Sequence, residues 1–167
     1  MTLHLSTRVR FLWGFAIELA FGIVILACAV IFTDDVVRIK FLRDTATDWL
    51  TVTGQVLFPA SVAIWITYVN VESSRFGDYL RYRKASQPLH FTFAYPVVVF
   101  FVATLSLIFL KGTTLSIFPN LALFLLGYSG AVFLSMIFNV TSIMRLYGTF
   151  RGLVEREKQQ DIGKYGA

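Results

Sequence analysis

The fold is decided by residues 11–33, which read FLWGFAIELAFGIVILACAVIFT. Glu18 is the only charged residue in this run, and three further apolar runs occupy residues 49–70, 91–110 and 121–144. About 20 apolar residues coiled as a helix match the hydrocarbon thickness of a bilayer, and backbone amides cannot remain unpaired in lipid. The sequence therefore predicts an all-α, polytopic membrane protein with four transmembrane helices.

The composition agrees with this class. Hydrophobic residues make up 56% of the 167 positions, charged residues only 15%, and the mean hydropathy is +0.68. A soluble domain carries about 25% charged residues, and a soluble four-helix bundle shows a polar stripe on each helix. Here the runs are apolar all round, so the soluble alternative is rejected. We predict a single transmembrane domain over residues 1–167.

The lysine and arginine residues predict the orientation. Eleven of them lie in residues 1–10, 71–90 and 145–167, whereas the two remaining connections hold four. Because cytoplasmic segments of membrane proteins are enriched in these residues, we expect both termini and the connection 71–90 in the cytoplasm. Apolar residues recur at helical spacing beyond the fourth run, which predicts a cytoplasmic extension of that helix over residues 145–158.

Two local features of the sequence add detail to the predicted arrangement of four helices. In the first connection, apolar and basic side chains interleave over residues 36–43, as in a segment that lies on the outer headgroups. In the second run, Pro59 removes a backbone donor, so we expect the helix to bend there.

Glu18 is the one acidic residue inside any membrane run. A carboxylate in hydrocarbon costs several kcal/mol, so it must face protein or water. Gly14, Glu18 and Gly22 are four residues apart and share a helix face, on which another helix can approach closely. The candidate partners at its depth are Asn139, Ser142, Arg145 and His90. Two interpretations stay open: a gating or ion-linked carboxylate, or a structural hydrogen bond or ion pair that fixes helix packing.

The fourth helix carries a second candidate packing surface. Small residues recur at every fourth position: Gly127, Ala131, Ser135 and Asn139. This pattern predicts a close helix contact, either within the protomer or between protomers.

A candidate docking surface is predicted on the cytoplasmic side, where basic and aromatic residues interleave. Its residues are Arg75, Tyr79, Arg81, Tyr82, Arg83, Lys84, Arg151 and Arg156. Such a surface suits anionic lipid or an acidic protein partner; the alternative is a membrane anchor with interfacial tyrosines. We expect no direct binding of nucleic acid.

Sequence signatures of catalysis are missing. The chain has no His-Glu-x-x-His, Gly-rich phosphate loop or Cys-x-x-Cys motif, and its two histidines and single cysteine supply no plausible metal site. We therefore predict no catalytic residues, no cofactor, no metal and no enzymatic activity.

The plan of the chain resembles the small four-helix membrane proteins of bacterial anti-phage systems. The shared features are the basic-aromatic inner loop of residues 75–84 and the charged end of the last helix, Met144-Arg145-Leu146-Tyr147 through Glu155-Arg156-Glu157-Lys158. The family includes the membrane subunit of the Kiwa system, which implies an oligomeric membrane sensor coupled to a cytoplasmic effector. It also includes the phage-lambda Rex membrane component, which implies an ion-conducting pore.

Two functions follow as hypotheses. The first is a non-enzymatic sensor or scaffold subunit, a homo-oligomer with a tetramer favoured, that relays membrane or envelope disturbance to a cytoplasmic effector protein in anti-phage defence. The alternative is an oligomeric ion channel that depolarises the membrane, with Glu18, Gln55, Thr51 and Asn139 facing a wet path.

Overall fold

The computed structural model describes residues 2–112 and 117–165, with side chains described over 15–112 and 117–156. All its regular structure in these residues is helical. The helices in chain order are α1 (Thr2–Phe32), α2 (Asp35–Asp44), α3 (Ala46–Leu50), a π-helical segment (Thr51–Leu57), α4 (Phe58–Glu72), α5 (Arg75–Tyr82), α6 (Ser86–Gly112) and α7 (Ile117–Tyr165).

Four stretches of the described chain are long and apolar enough to cross a membrane: Phe15–Phe32, Ala46–Glu72, Ser86–Gly112 and Ile117–Arg156. The predicted all-α class and the four apolar helices are thus confirmed. The bounds differ from those expected, because polar residues that end an apolar run do not end a helix. The third span begins five residues earlier than predicted, and α7 continues to Tyr165.

Successive spans run in alternating directions and form a bundle with two distinct ends. At one end, Leu42 of α2 packs with Leu110 and Ala122, so we call it the α2 end. At the other, Phe76 of α5 packs with Phe93 and Phe150, and we call it the α5 end. The beginning of α1, the beginning of α6 and the projecting part of α7 all belong to the α5 end.

The core consists of three apolar clusters stacked along the bundle. One lies at each end, and the middle one contains Val99, Phe100, Val132 and Met136. Helix α6 contributes to all three and is the most enclosed, with 44% of its span buried, against 6% for α1. Helix α1 is therefore held along a narrow seam and turns most of its apolar surface outward.

The expected irregularity at Pro59 takes the form of the π-helical segment that immediately precedes α4. Pro59 is the second residue of α4 and donates no backbone hydrogen bond. The Phe58 N–H donates to Thr53 O, a bond five residues back that widens the helix. Gly54 faces Thr104 of α6, whose Cγ2 would lie 3.1 Å from an added Cβ. The wide turn thus brings its backbone against α6.

The first connection folds into α2 and α3 rather than into an extended segment. Arg38, only 6% exposed, donates to Ala29 O and Thr33 O at 3.4 and 3.3 Å, so its guanidinium caps the C-terminal carbonyls of α1. The outward face of α2 is apolar, with exposed Val36, Val37 and Phe41. That this face rests on headgroups stays a prediction.

Candidate functional site

The seam between α1 and α7 is built from a glycine on each helix. An added Cβ on Gly22 would lie 3.0 Å from the Phe124 ring and 3.2 Å from Tyr128 Cβ. An added Cβ on Gly127 would lie 3.0–3.2 Å from three side-chain atoms of Ile25. Both glycines permit close approach of two helices of the same chain, which supports the intramolecular interpretation at these two positions.

Glu18 lies one turn along this seam from Gly22 and is only 9% exposed. Its carboxylate receives a hydrogen bond from the Ser135 hydroxyl on α7. Ser135 therefore belongs both to the small-residue surface of α7 and to the surroundings of the buried acid. Ala131 lies between Gly127 and Ser135 and is half-buried. Gly14 is helical, but its packing lies outside the described side chains.

A cavity of about 240 Å³ opens beside Glu18, between α1, α6 and α7. Its polar lining comes from Glu18, Thr92, Tyr95, Ser135 and Asn139, and its apolar lining includes Phe15, Pro96, Val132, Met136 and Phe138. Phe138 is 71% exposed, so this side of the cavity reaches the bundle surface. Val132 and Met136 belong to the middle core cluster, which closes the cavity towards the α2 end.

The predicted partners of Glu18 are only partly brought to it. Asn139 lines the same cavity, whereas Ser142 and Arg145 are exposed on α7. His90 lies instead beside Glu72, with 3.5 Å between its Nδ1 and Glu72 Oε2. The hydrogen-bond donor is Ser135, which lies about one helical turn before Asn139 on α7.

The predicted docking surface is assembled on α5, a short amphipathic helix. Its Phe76 and Leu80 are 2% and 0% exposed and join the cluster at the α5 end. The Phe76 ring lies 5.2 Å from that of Tyr147 and 5.5 Å from that of Phe150, both on the projecting part of α7. Helix α5 is thereby fixed to α7, and its other face is open.

The basic side chains of this surface differ in their engagement. Arg81 pairs with Asp78 and donates to Glu72 O at 3.2 Å, and Arg83 lies 5.4 Å from the centre of the Tyr79 ring. Arg151 pairs with Glu155 at 3.1 Å. Four exposed cations of this surface have no salt-bridge partner among the side chains that the structure describes: Arg75, Arg83, Lys84 and Arg156.

Helix α5 ends in a Schellman motif. The Lys84 N–H donates to Arg81 O at 2.9 Å and the Ala85 N–H to Leu80 O at 2.9 Å. Lys84 occupies the left-handed position with φ 55°, where glycine is the usual residue. The loop between α5 and α6 is thus tightly specified and holds the Lys84 ammonium at its outer edge.

One polar cluster at the α5 end was missed by the sequence analysis. Glu72 receives hydrogen bonds from Ser86 Oγ and lies beside His90, while the Tyr68 hydroxyl donates to Ser86 O at 3.0 Å. These contacts join the end of α4 to the beginning of α6. The residues are far apart in sequence and fit no motif, so only the fold reveals them.

Comparison of the chain with family models, with curated proteins and with solved structures finds no match in any of the three.

Proposed function

We propose that the chain is a non-enzymatic membrane subunit that presents α5 as a docking surface for an acidic cytoplasmic protein. In this proposal it acts in bacterial anti-phage defence, as a homo-oligomer with a tetramer favoured, and relays a disturbance of the membrane or envelope. The observation that carries the docking role is the fixed amphipathic α5. Phe76 and Leu80 fix one face of the helix, and the exposed residues of α5 and the loop after it include the four cations Arg75, Arg81, Arg83 and Lys84 and one carboxylate, that of Asp78.

Rigid presentation matters because ordering a flexible loop on binding consumes part of the interaction free energy. Here the order already exists, in the ring contacts with α7 and in the Schellman motif at Lys84. Tyr82 is 84% exposed beside these cations. An exposed aromatic ring next to unpaired positive charge is typical of a protein contact.

The docking proposal is tested by photo-crosslinking in intact cells. Benzoylphenylalanine replaces Tyr82, and for comparison Val36 on α2, at the opposite end of the bundle and 78% exposed. We expect a discrete protein adduct only from the Tyr82 position, reduced when Arg83 and Lys84 are both changed to alanine. Lys40→Ala on α2 is the control, which should leave the adduct unchanged. Lipid adducts alone at the Tyr82 position would instead identify α5 as a membrane anchor.

The proposed orientation is tested separately, by cysteine accessibility. The background is Cys28→Ala, which removes the single native thiol. Lys84→Cys at the α5 end should react with a membrane-impermeant maleimide only after the cells are opened. Asp44→Cys, on α2, should react in intact cells. The reverse pattern would refute the cytoplasmic assignment of α5 and, with it, the docking proposal.

The second candidate function is an ion channel formed by the oligomer. It is favoured by the carboxylate of Glu18, held with Ser135 and Asn139 around a cavity. Within one protomer the apolar middle cluster blocks the way to the α2 end, so a pore has to run between protomers. Planar-bilayer conductance that changes with Glu18→Gln would support the channel. A silent bilayer at high protein density would favour the docking subunit.

A further inference from the structure

The starting observation is a buried acid with no balancing cation among the side chains that the structure describes. Glu18 is 9% exposed, and among the described side chains no lysine, arginine or histidine lies with it around the cavity. Arg145, the basic residue expected nearby, is exposed, and His90 is engaged by Glu72. A carboxylate taken out of water needs either a proton or a positive charge beside it. The cavity beside the Glu18 carboxylate has room for a molecular cation and not only for a proton.

The lining of the cavity indicates which kind of cation fits. The rings of Phe15 and Tyr95 meet edge to face with centroids 4.4 Å apart, and Phe138 stands at the opening. Met136 adds a polarisable thioether. Aromatic rings attract cations through their quadrupole, and a carboxylate in a cavity lined by such rings suits organic ammonium ions that shed their water easily.

Besides Glu18, the lining has four neutral polar side chains, those of Thr92, Tyr95, Ser135 and Asn139. The Tyr95 hydroxyl is buried without a hydrogen-bond partner in the described structure, and the Thr92 hydroxyl already donates to Pro88 O at 2.8 Å. Six or more oxygen ligands are needed to replace the hydration shell of a hard metal cation such as calcium. With one carboxylate to supply charge, and with the Thr92 and Ser135 hydroxyls already hydrogen-bonded, this lining suits a weakly hydrated cation better than such an ion.

We propose that the cavity beside Glu18 is a binding site for a small organic ammonium ion, with the carboxylate as counter-charge and the rings of Phe15, Tyr95 and Phe138 around the alkyl groups. Its volume of about 240 Å³ lies below the roughly 300–1,000 Å³ of pockets that hold drug-sized ligands, so the site selects small cations. The proposal stands apart from the docking surface on α5, since the cavity and that surface share no residue.

The experiment is an equilibrium binding measurement on the full chain in lipid nanodiscs. The probe is choline, and its neutral analogue 3,3-dimethylbutan-1-ol, with carbon in place of the charged nitrogen, is the matched control ligand. We expect saturable binding of choline at one site per chain, with the neutral analogue at least about tenfold weaker because it forfeits both the charge pairing and the cation–π attraction. Equal binding of the two compounds, or no choline binding at millimolar concentration, would overturn the proposal.

Variants separate the site from the lipid around the protein. Glu18→Gln keeps a hydrogen-bond acceptor for Ser135 and should weaken choline binding by at least about tenfold. Asp48→Asn makes the same chemical change at an exposed position on α3 and should leave binding unchanged. Asn139→Phe fills the cavity with Glu18 intact and should also abolish binding, which guards against a folding defect of the first variant. Unchanged binding in both cavity variants would refute the site.

A competition series decides the class of cation. Tetramethylammonium should displace choline, whereas sodium and potassium at equal concentration should not, because their tightly held water is poorly replaced by aromatic rings. If the alkali ions displace choline as well as tetramethylammonium does, the assignment to organic ammonium ions is wrong.

Discussion

Lys84 occupies the left-handed position of the Schellman motif that ends α5. Replacing it with glycine should change the stability of the protein and its docking in opposite directions, because the backbone strain and the positive charge are both removed. Relief of the left-handed strain is worth about 1–2 kcal/mol for a non-glycine residue. The greater freedom of glycine in the unfolded chain takes back about 0.4–1 kcal/mol. Because Lys84 is exposed and has no ionic partner in the described structure, its charge adds little to stability. We therefore expect Lys84→Gly to raise the free energy of unfolding by about 0.8 kcal/mol, the difference between the midpoints of these two ranges.

Lys84→Ala is the matched control, because it removes the same charge but keeps the strained backbone position. The assay is thermal unfolding in detergent, followed by the fluorescence of the three tryptophans, of which Trp65 lies at the α5 end with its ring 6.2 Å from that of His90. For a chain of this length the glycine variant should melt roughly 1–4 °C above the alanine variant. Both variants should lose crosslinking from α5 to the same extent. If alanine is as stable as glycine, the conformational account of Lys84 is wrong.

The other predictions concern glycines in contact with backbone or side chains. Gly77→Ala should destabilise the fold by more than about 2 kcal/mol, because the added Cβ would lie 1.9 Å from Glu72 O at the corner between α4 and α5. The measurement is the yield of folded protein in size-exclusion chromatography, which should fall. Gly127→Ala should lower the unfolding temperature by crowding Ile25 on α1, whereas Gly130→Ala, with nothing within 4 Å, should hold or raise it through helix propensity. Equal effects of the two α7 variants would contradict the seam between α1 and α7.

The overall architecture was accessible from the sequence because lipid imposes a simple rule. An apolar run of some 20 residues has to be helical in lipid, so counting runs was enough to find four spans. The short helices were less accessible. Helix α5 has only eight residues, and its Phe76 and Leu80 signal a buried face only once α7 is known to pass beside it.

The site was predicted in part, and the reason is again physical. Glu18 stood out because a lone acid in an apolar run is costly, and the small-residue spacing singled out Ser135, which is its hydrogen-bond partner in the structure. Their pairing was not foreseen, since relative helix depth depends on tilt and packing. Nor does the sequence reveal the left-handed Lys84, because the usual marker of that conformation is a glycine.

Because α7 is long, the basic residues at the α5 end lie at different distances from the lipid. At about 1.5 Å per residue, Arg151 and Arg156 lie roughly 10 and 18 Å along the helix from Met144, where the apolar run ends. Ionic screening at physiological salt acts over about 8 Å. Arg156 therefore lies about two screening lengths beyond the end of the apolar run, and Arg151 about one.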